Sequence, residues 1–354
     1  MLRIAVIGTG NMGRKYSHMI QEQKIKDLVL TAVVCRSESA QEWGRSLHDV
    51  EVFRSAEELF AHPDLYDAVL IATPHKLHPS LALQAFSLNK HVLCEKPAAV
   101  EVRDARTMAE TAAERKLKYG LVFHLRTRPE YVALKEMIQQ GEFGTIHRVQ
   151  MTNTRYFRTE AYHHSSLWRS TLEGEGGGAL INQGQHCLDL WAMLFGVPEE
   201  LQAMVMRGKY NDFDVEDEAT ILMKYKDGMT GSFLISTAEG MYEEKLVISG
   251  SRKAAILEGT TLKVITFSSD TDKYRSSATT HAREGLQETV QEIQFEETSG
   301  DVLYERILQN FTNAVLKEEP LIASGKDGIS SLLLTQGAYR SEDSKKRIRI
   351  EDVE

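Results

Sequence analysis

The first thirteen residues constrain the fold more than any other stretch. Residues 3–7 are a short apolar run, Gly8-Thr9-Gly10-Asn11-Met12-Gly13 follows at once, and a helical pattern then runs over 12–23. In a strand–turn–helix setting each glycine of G-x-G-x-x-G has a steric task. The first permits the tight turn, the second lets backbone approach a pyrophosphate, and the third lets helix and strand pack closely. The helix N-terminus adds amide hydrogens and the positive end of its dipole. Gly8, Gly10 and Gly13, with Asn11 and Met12 between them, are therefore the expected dinucleotide contacts.

The rhythm that follows agrees with this start. Strand patterns at 28–35, 50–53, 68–72, 91–94 and 119–123 alternate with helical patterns at 38–47, 56–60, 81–88 and 102–115. That alternation specifies a parallel sheet with right-handed crossovers. Past residue 123 it changes. A helix at 129–140 and a β-rich run at 146–156 precede a glycine run, Gly176-Gly177-Gly178, which opens a helix expected to reach 194. Strands at 201–207, 218–225, 230–236, 244–249, 254–258 and 261–266 form a meander, suited to a large, mainly antiparallel open sheet. The polar stretch 268–300 has no clear period, and helices at 302–316 and 327–339 close the chain. The fold class is α/β: a Rossmann domain over 1–123 and an α+β substrate-binding and oligomerisation domain over 124–354.

A length of 354 residues favours two domains. The net charge of −9 argues against a nucleic-acid or anionic-membrane partner, since either needs a basic footprint. The opening segment reads as a strand rather than a signal peptide, and no window has the length of a membrane span. Cys35, Cys94 and Cys187 lie in apolar segments, which suits reduced thiols in the cytoplasm. None belongs to a CxxC pair. His75, His78, His163 and His164 lack metal-ligand spacing, so no metal is expected.

The choice of dinucleotide is read at the end of the second strand, Val33-Val34-Cys35-Arg36-Ser37, where the first acid is Glu38. An acid usually binds the ribose hydroxyls of NAD, whereas Arg36 and Ser37 suit a 2′-phosphate. The expectation is NADP or NAD, with NADP favoured. Arg36 as a solvated loop residue is the plainer alternative.

Two further groups carry chemistry. Glu95-Lys96-Pro97 follows the strand 91–94, at the carboxyl end of the sheet where open α/β folds bind ligands. A partly desolvated lysine there can hydrogen-bond a substrate hydroxyl. In the glycine-led helix, Asn182 and His186 are four residues apart and should share a face. A lone histidine on an apolar helix is more often structural.

Together, strand-GTGNMG, Ala72-Thr73-Pro74-His75-Lys76-Leu77-His78, Lys90-His-Val-Leu-Cys-Glu-Lys-Pro97 and Gly176-Gly-Gly…Asn182…His186…Asp189 resemble the glucose–fructose oxidoreductase/inositol dehydrogenase (Gfo/Idh/MocA) family. The resemblance spans the whole chain in order. It implies an NAD(P)-dependent oxidoreductase acting on one carbinol or keto carbon of a sugar, sugar derivative or cyclitol bound between the domains. It also implies a homodimer or homotetramer built through the C-terminal sheet. Lys96 would bridge nicotinamide ribose and substrate hydroxyl, and His186 would be the general acid/base. Asn182 stands where the family often has Asp, and an amide can orient a hydroxyl but cannot accept its proton. Trp168 and Arg169, Arg126 and Tyr156 would line the substrate site, while Thr73, Pro74, His75, His78 and Glu95 would lie by the cofactor. Two alternatives remain: an NAD-dependent glycosidase acting through transient oxidation and elimination, and a non-catalytic dinucleotide sensor.

Overall fold

The computed structural model describes residues 1–353 apart from 167 and 211. The N-terminal half alternates as its sequence pattern requires: β1 (Leu2–Ile7), α1 (Asn11–Gln21), β2 (Leu28–Val34), α2 (Glu38–Arg45), β3 (Glu51–Phe53), α3 (Ala56–Phe60), β4 (Ala68–Ile71), α4 (His78–Ser87), β5 (His91–Cys94), α5 (Val102–Glu114) and β6 (Tyr119–Leu121). The six strands form one parallel sheet in the order β3-β2-β1-β4-β5-β6. Ile4, Val6 and the whole of β4 are fully buried. This is why these strands read as continuous apolar runs, as strands covered on both faces do. The strand order reverses between β1 and β4, and ligands bind outside the carboxyl ends at such a switch point. The glycine turn follows β1, and Thr73-Pro74 follows β4.

The second sheet has nine strands in the order β14-β13-β12-β11-β7-β10-β9-β8-β15. Its helices and strands are α6 (Pro129–Gln139), β7 (Ile146–Asn153), α7 (Glu160–His163), α8 (Gly184–Phe195), β8 (Glu200–Arg207), β9 (Glu216–Lys224), β10 (Thr230–Ser236), β11 (Glu244–Gly250), β12 (Lys253–Glu258), β13 (Thr261–Phe267), α9 (Thr271–Ser277), β14 (Glu288–Gln294) and β15 (Ile348–Arg349). Its named pairings are antiparallel except β7 with β10. One face is a core: Ala219, Ile221 and Met223 of β9 are buried while Leu222 and Lys224, on the alternate positions, are exposed. Burying each large apolar side chain contributes about 1.5–3 kcal/mol. Trp191 of α8 packs on this face so closely that a Cβ on Gly231 of β10 would lie 2.5 Å from its ring, and its indole donates to Tyr225 Oη at 2.7 Å. The polar stretch without a period holds α9 and the edge strand β14. Nearly every β14 residue is exposed, so no buried face writes an alternation into its sequence.

The two compact units do not divide the chain at a single point. One comprises Met1–Thr127, Glu173–Gly176 and Ser299–Leu332; the other comprises Arg128–Leu172, Gly177–Thr298 and Leu333–Glu354. The expected division lay at residue 123; the first unit runs to Thr127 and also takes in 173–176 and 299–332. Helix α10 (Gly300–Lys317) supplies the physical reason, because its Ile307, Leu308 and Phe311 join Leu2, Ile4 and Val6 in the Rossmann core. The last boundary falls within α11 (Gly325–Ser344).

Candidate functional site

The nucleotide turn is built by close backbone approach. Gly8 has φ of +95°, and a Cβ there would lie 2.5 Å from the Ala72 carbonyl oxygen; one on Gly13 would lie 1.8 Å from that of Gly8. A Cβ on Gly10 would meet nothing within 4 Å. Two glycines are therefore demanded by the protein's own packing, while the middle one opens on free space. Gly10 is also the N-cap of α1 and offers no side-chain cap, so the first-turn amides point at that space uncapped by a side chain. Arg14 Nε donates to the Thr9 carbonyl at 3.1 Å and braces the turn. The Thr73 hydroxyl is buried beside Gly8 with no hydrogen-bond partner among the described residues. Open space at the middle glycine, uncapped amides and an unmet hydroxyl fit a dinucleotide.

Arg36 and Ser37 end differently from each other. Arg36 is exposed, and its guanidinium makes no hydrogen bond or ion pair among the described residues. Ser37 is the N-cap of α2, its Oγ accepting from Ala40 N and lying 3.2 Å from Ser39 Oγ. A structural task thus accounts for Ser37.

The Glu95-Lys96-Pro97 segment is tied down from below. Glu95 is enclosed; its Oε1 accepts from Tyr16 Oη of α1, and its Oε2 accepts the Lys96 amide at 3.1 Å. Burial pushes the Glu95 carboxyl up from its ordinary value. The carboxylate is thus turned into the protein, where it accepts from Tyr16 and holds the Lys96 amide. His78 is held in the same way. Fully buried, it sets Nδ1 2.8 Å from the Pro97 carbonyl oxygen and Nε2 2.9 Å from that of Thr73, so both ring nitrogens brace the two loops. Burial holds its pKa below the usual value. His75 is buried with Nδ1 3.1 Å from the Glu175 carbonyl oxygen. Arg126, expected at the substrate, is buried and pairs with Asp327 Oδ1 at 3.0 Å while donating to the Ile322 carbonyl. It joins the returning segment to the Rossmann unit.

In the other unit, the helix carrying His186 begins at Gly184, not at the glycine run. Asn182 therefore precedes the helix, and the expected shared helical face does not exist. The cause is Glu216, whose carboxylate accepts the Gly178 amide at 2.9 Å and the Leu180 amide at 2.8 Å. The Ala179 amide donates to the Glu216 carbonyl, and Gly184 N reaches back five residues to Ala179 O. These bonds hold 178–183 in an irregular turn that delivers His186, 8 % exposed, in the first turn of α8.

Tyr162 of α7 joins several expected substrate residues. Its hydroxyl accepts from Arg169 Nη1 at 2.7 Å, Asn182 Nδ2 at 3.3 Å and Gln183 Nε2 at 3.2 Å. The Arg169 guanidinium also lies 4.9 Å from the Trp168 ring centroid. Tyr156 is half-buried under the Arg155 and Arg158 guanidiniums, and burial pushes its phenol well up. Sequence reasoning passed over Glu216 and Tyr16, and gave Tyr162 no more weight than an exposed loop ring. Glu216 sat in an acidic run before a strand, and Tyr16 matched the apolar face of α1.

Among the described residues no group of three His, Cys, Asp or Glu is placed to hold a metal, and no helix is long and apolar enough to cross a membrane. All three cysteines are buried and unbridged.

A Rossmann sheet with a three-glycine turn, followed by a unit built on a large open sheet, defines a class of NAD(P)-binding oxidoreductases. Residues 2–123 match the oxidoreductase family with an NAD-binding Rossmann fold, and 131–256 match the GFO/IDH/MocA C-terminal domain; the chain belongs to that family. Among its relatives, trans-1,2-dihydrobenzene-1,2-diol dehydrogenase of Bos taurus is 27% identical over 72% of this chain and 74% of the relative. The NADP(+) scyllo-inositol 2-dehydrogenase IolU of Bacillus subtilis (strain 168) is 28% identical over 68% and 72%. The WlbA dehydrogenase from Bordetella pertussis, solved with NADH and UDP-GlcNAcA, superposes with a TM-score of 0.81 at 23% identity, covering 98% of both chains.

Proposed function

We propose that the protein is an NADP(H)-preferring dehydrogenase/reductase acting on one carbinol or keto carbon of a sugar, sugar derivative or cyclitol. The observation that carries this reading is the glycine turn, with Gly8 and Gly13 sterically obligatory and Gly10 open, in a chain of the oxidoreductase family. Relatives named as dehydrogenases of scyllo-inositol and of a dihydrobenzenediol support the substrate class. When bound, the nicotinamide supplies the hydride acceptor or donor.

The chain's own residues bind, orient and manage the proton. The Gly8–Gly13 backbone and the first amides of α1 hold the pyrophosphate, and Arg36 offers its guanidinium to a 2′-phosphate. Lys96 Nζ hydrogen-bonds the substrate hydroxyl. The His186 imidazole takes the hydroxyl proton during oxidation and returns it during reduction. Asn182, bonded to Tyr162, orients hydroxyls without exchanging a proton, so proton transfer rests on His186 and Lys96. The three unbridged cysteines suit a cytoplasmic setting. A homodimer or homotetramer through the outer face of the nine-stranded sheet is supported by Met204 and Leu222, 64% and 56% exposed there.

The test follows nicotinamide absorbance with NADP⁺ and NAD⁺ against a panel of cyclitols, aldoses, glycosides and keto-sugars. Polyol-dependent reduction, faster with NADP⁺, is expected. Aglycone release without net cofactor reduction would replace this reading by the glycosidase one, and no response to any polyol would contradict both.

A further inference from the structure

Two guanidiniums in the second unit crowd one aromatic ring, and among the described residues neither is paired with an acid. The Arg158 and Arg169 Cζ atoms lie 4.7 and 4.5 Å from the Tyr162 ring centroid. Arg158 Nη1 donates to the Phe157 carbonyl at 3.2 Å, and Arg169 Nη1 donates to Tyr162 Oη. The Nε of each is buried with no hydrogen-bond partner among the described residues, and neither side chain enters an ion pair there. Two other arginines of the same unit are neutralised. Arg128 meets Glu130 and Glu244, and Arg155 meets the other oxygen of Glu244.

Such an arrangement is costly in the protein alone. Like charges repel, and each desolvated Nε–H lacks the bond that water would give it. Stacking on Tyr162 and Trp168 offsets part of this and fixes the guanidinium planes. A bound anion removes both costs, since an oxyanion accepts from the donor fork and neutralises the charge. The same two charges reach a neighbouring ring. His163, set 2.5 Å from Ser170 Oγ, has its pKa lowered first by burial, then by Arg158, with Arg169 acting in the same direction. Asp217 opposes them at His163, yet its Oδ2 accepts the Tyr210 amide and pairs with neither arginine.

We infer that Arg158 and Arg169, held on Tyr162, form an anion-binding pair that selects substrates carrying a carboxylate or a phosphate on the polyol frame. Asn182, bonded to the same tyrosine hydroxyl, places the anion pair beside a residue assigned to substrate hydroxyls. The inference rests on the polyol-oxidoreductase reading and narrows its substrate class.

The test uses matched pairs: D-glucose against D-glucuronate and D-glucose 6-phosphate, and myo-inositol against myo-inositol 1-phosphate. Each is titrated calorimetrically into the full chain saturated with NADPH, so that affinity is read without turnover. At least one anionic member should bind about tenfold tighter than its neutral partner. The preference should shrink as salt is raised and fall to about threefold or less in Arg158→Gln and Arg169→Gln. Arg158→Lys and Arg169→Lys, which keep the charge and lose the fork, should lie between. Which member gains, carboxylate or phosphate, identifies the anion. Equal binding of neutral and anionic members by the wild-type protein overturns the inference, as does a preference that survives both Gln variants. Weakened NADPH binding with unchanged selectivity also overturns it, by assigning the pair to the cofactor. Turnover of the panel is read separately. Turnover of neutral members without an anionic preference removes the anion pair and leaves the oxidoreductase reading intact; an anionic preference without any turnover does the reverse.

Discussion

A Cβ on Gly178 would stand 2.1 Å from the carbonyl oxygen of Glu216, the residue whose carboxylate receives the Gly178 and Leu180 amides. This contact fixes the turn that leads into His186. Gly178→Ala must push that backbone apart, and overpacking of this kind costs about 1–3 kcal/mol. The variant should unfold at lower urea and lose turnover more than stability alone explains. A variant with wild-type stability and rate would show that the approach is not required.

Tyr16 and Glu95 make a corresponding prediction in the Rossmann unit. Tyr16→Phe leaves one oxygen of an enclosed carboxylate unmet, which costs about 1–3 kcal/mol. Because Glu95 also holds the Lys96 amide, kcat should fall with little change in the dissociation constant for NADPH. Loss of cofactor affinity with an unchanged kcat would detach Glu95 from Lys96.

The same enclosed acids set a pH dependence. Burial raises the Glu95 and Glu216 carboxyls above their ordinary 4.5. Above that pH the folded state keeps protons that the unfolded chain releases. Their contribution to stability is therefore largest at low pH and falls as pH rises through the folded values. Carboxylates such as Asp67, lowered by Arg3, act in the opposite sense. The informative quantity is accordingly the difference between wild type and Glu216→Gln in urea unfolding across pH. Wild type should lose stability relative to the variant as pH rises from about 4.5; a difference of opposite slope would refute the assignment.

The proposed preference for NADP⁺ rests on Arg36. Removing a charge-assisted contact to a phosphate forfeits about 1.5–3 kcal/mol, so Arg36→Ala should raise the KM for NADP⁺ at least about tenfold and leave that for NAD⁺ nearly unchanged. Equal loss with both cofactors would place Arg36 away from the 2′ position.

The fold was legible wherever one physical constraint wrote a period into the chain. Strands β1, β4 and β5 are covered on both faces and read as apolar runs; β8 to β13 have one buried face and read as alternation. The return of α10 to the Rossmann unit was not legible, because an amphipathic helix does not announce which sheet it will cover. At the site, Gly8, Gly10 and Gly13 were legible through their spacing; the contacts found there demand glycine at Gly8 and Gly13, while Gly10 opens on free space. His78, Arg126 and Glu95 were read toward ligands, but their polar atoms meet Thr73, Pro97, Ile322, Asp327, Tyr16 and the Lys96 amide. Those partners lie far away in sequence or belong to the main chain, and composition carries no trace of them. Asn182 was assigned to a helix because its spacing to His186 allows one. The acceptor that prevents the helix, Glu216, enters more than thirty residues later.

Lys96 and His186 are proposed to manage the proton of a polyol oxidised at a nicotinamide dinucleotide. The most direct measurement follows NADPH formation with a responsive polyol in wild type, Lys96→Ala and His186→Ala, beside NADPH binding by fluorescence. The account predicts that each substitution lowers kcat at least about a hundredfold while the dissociation constant for NADPH stays within about threefold. Turnover at the wild-type rate in either variant, with cofactor binding intact, would contradict it.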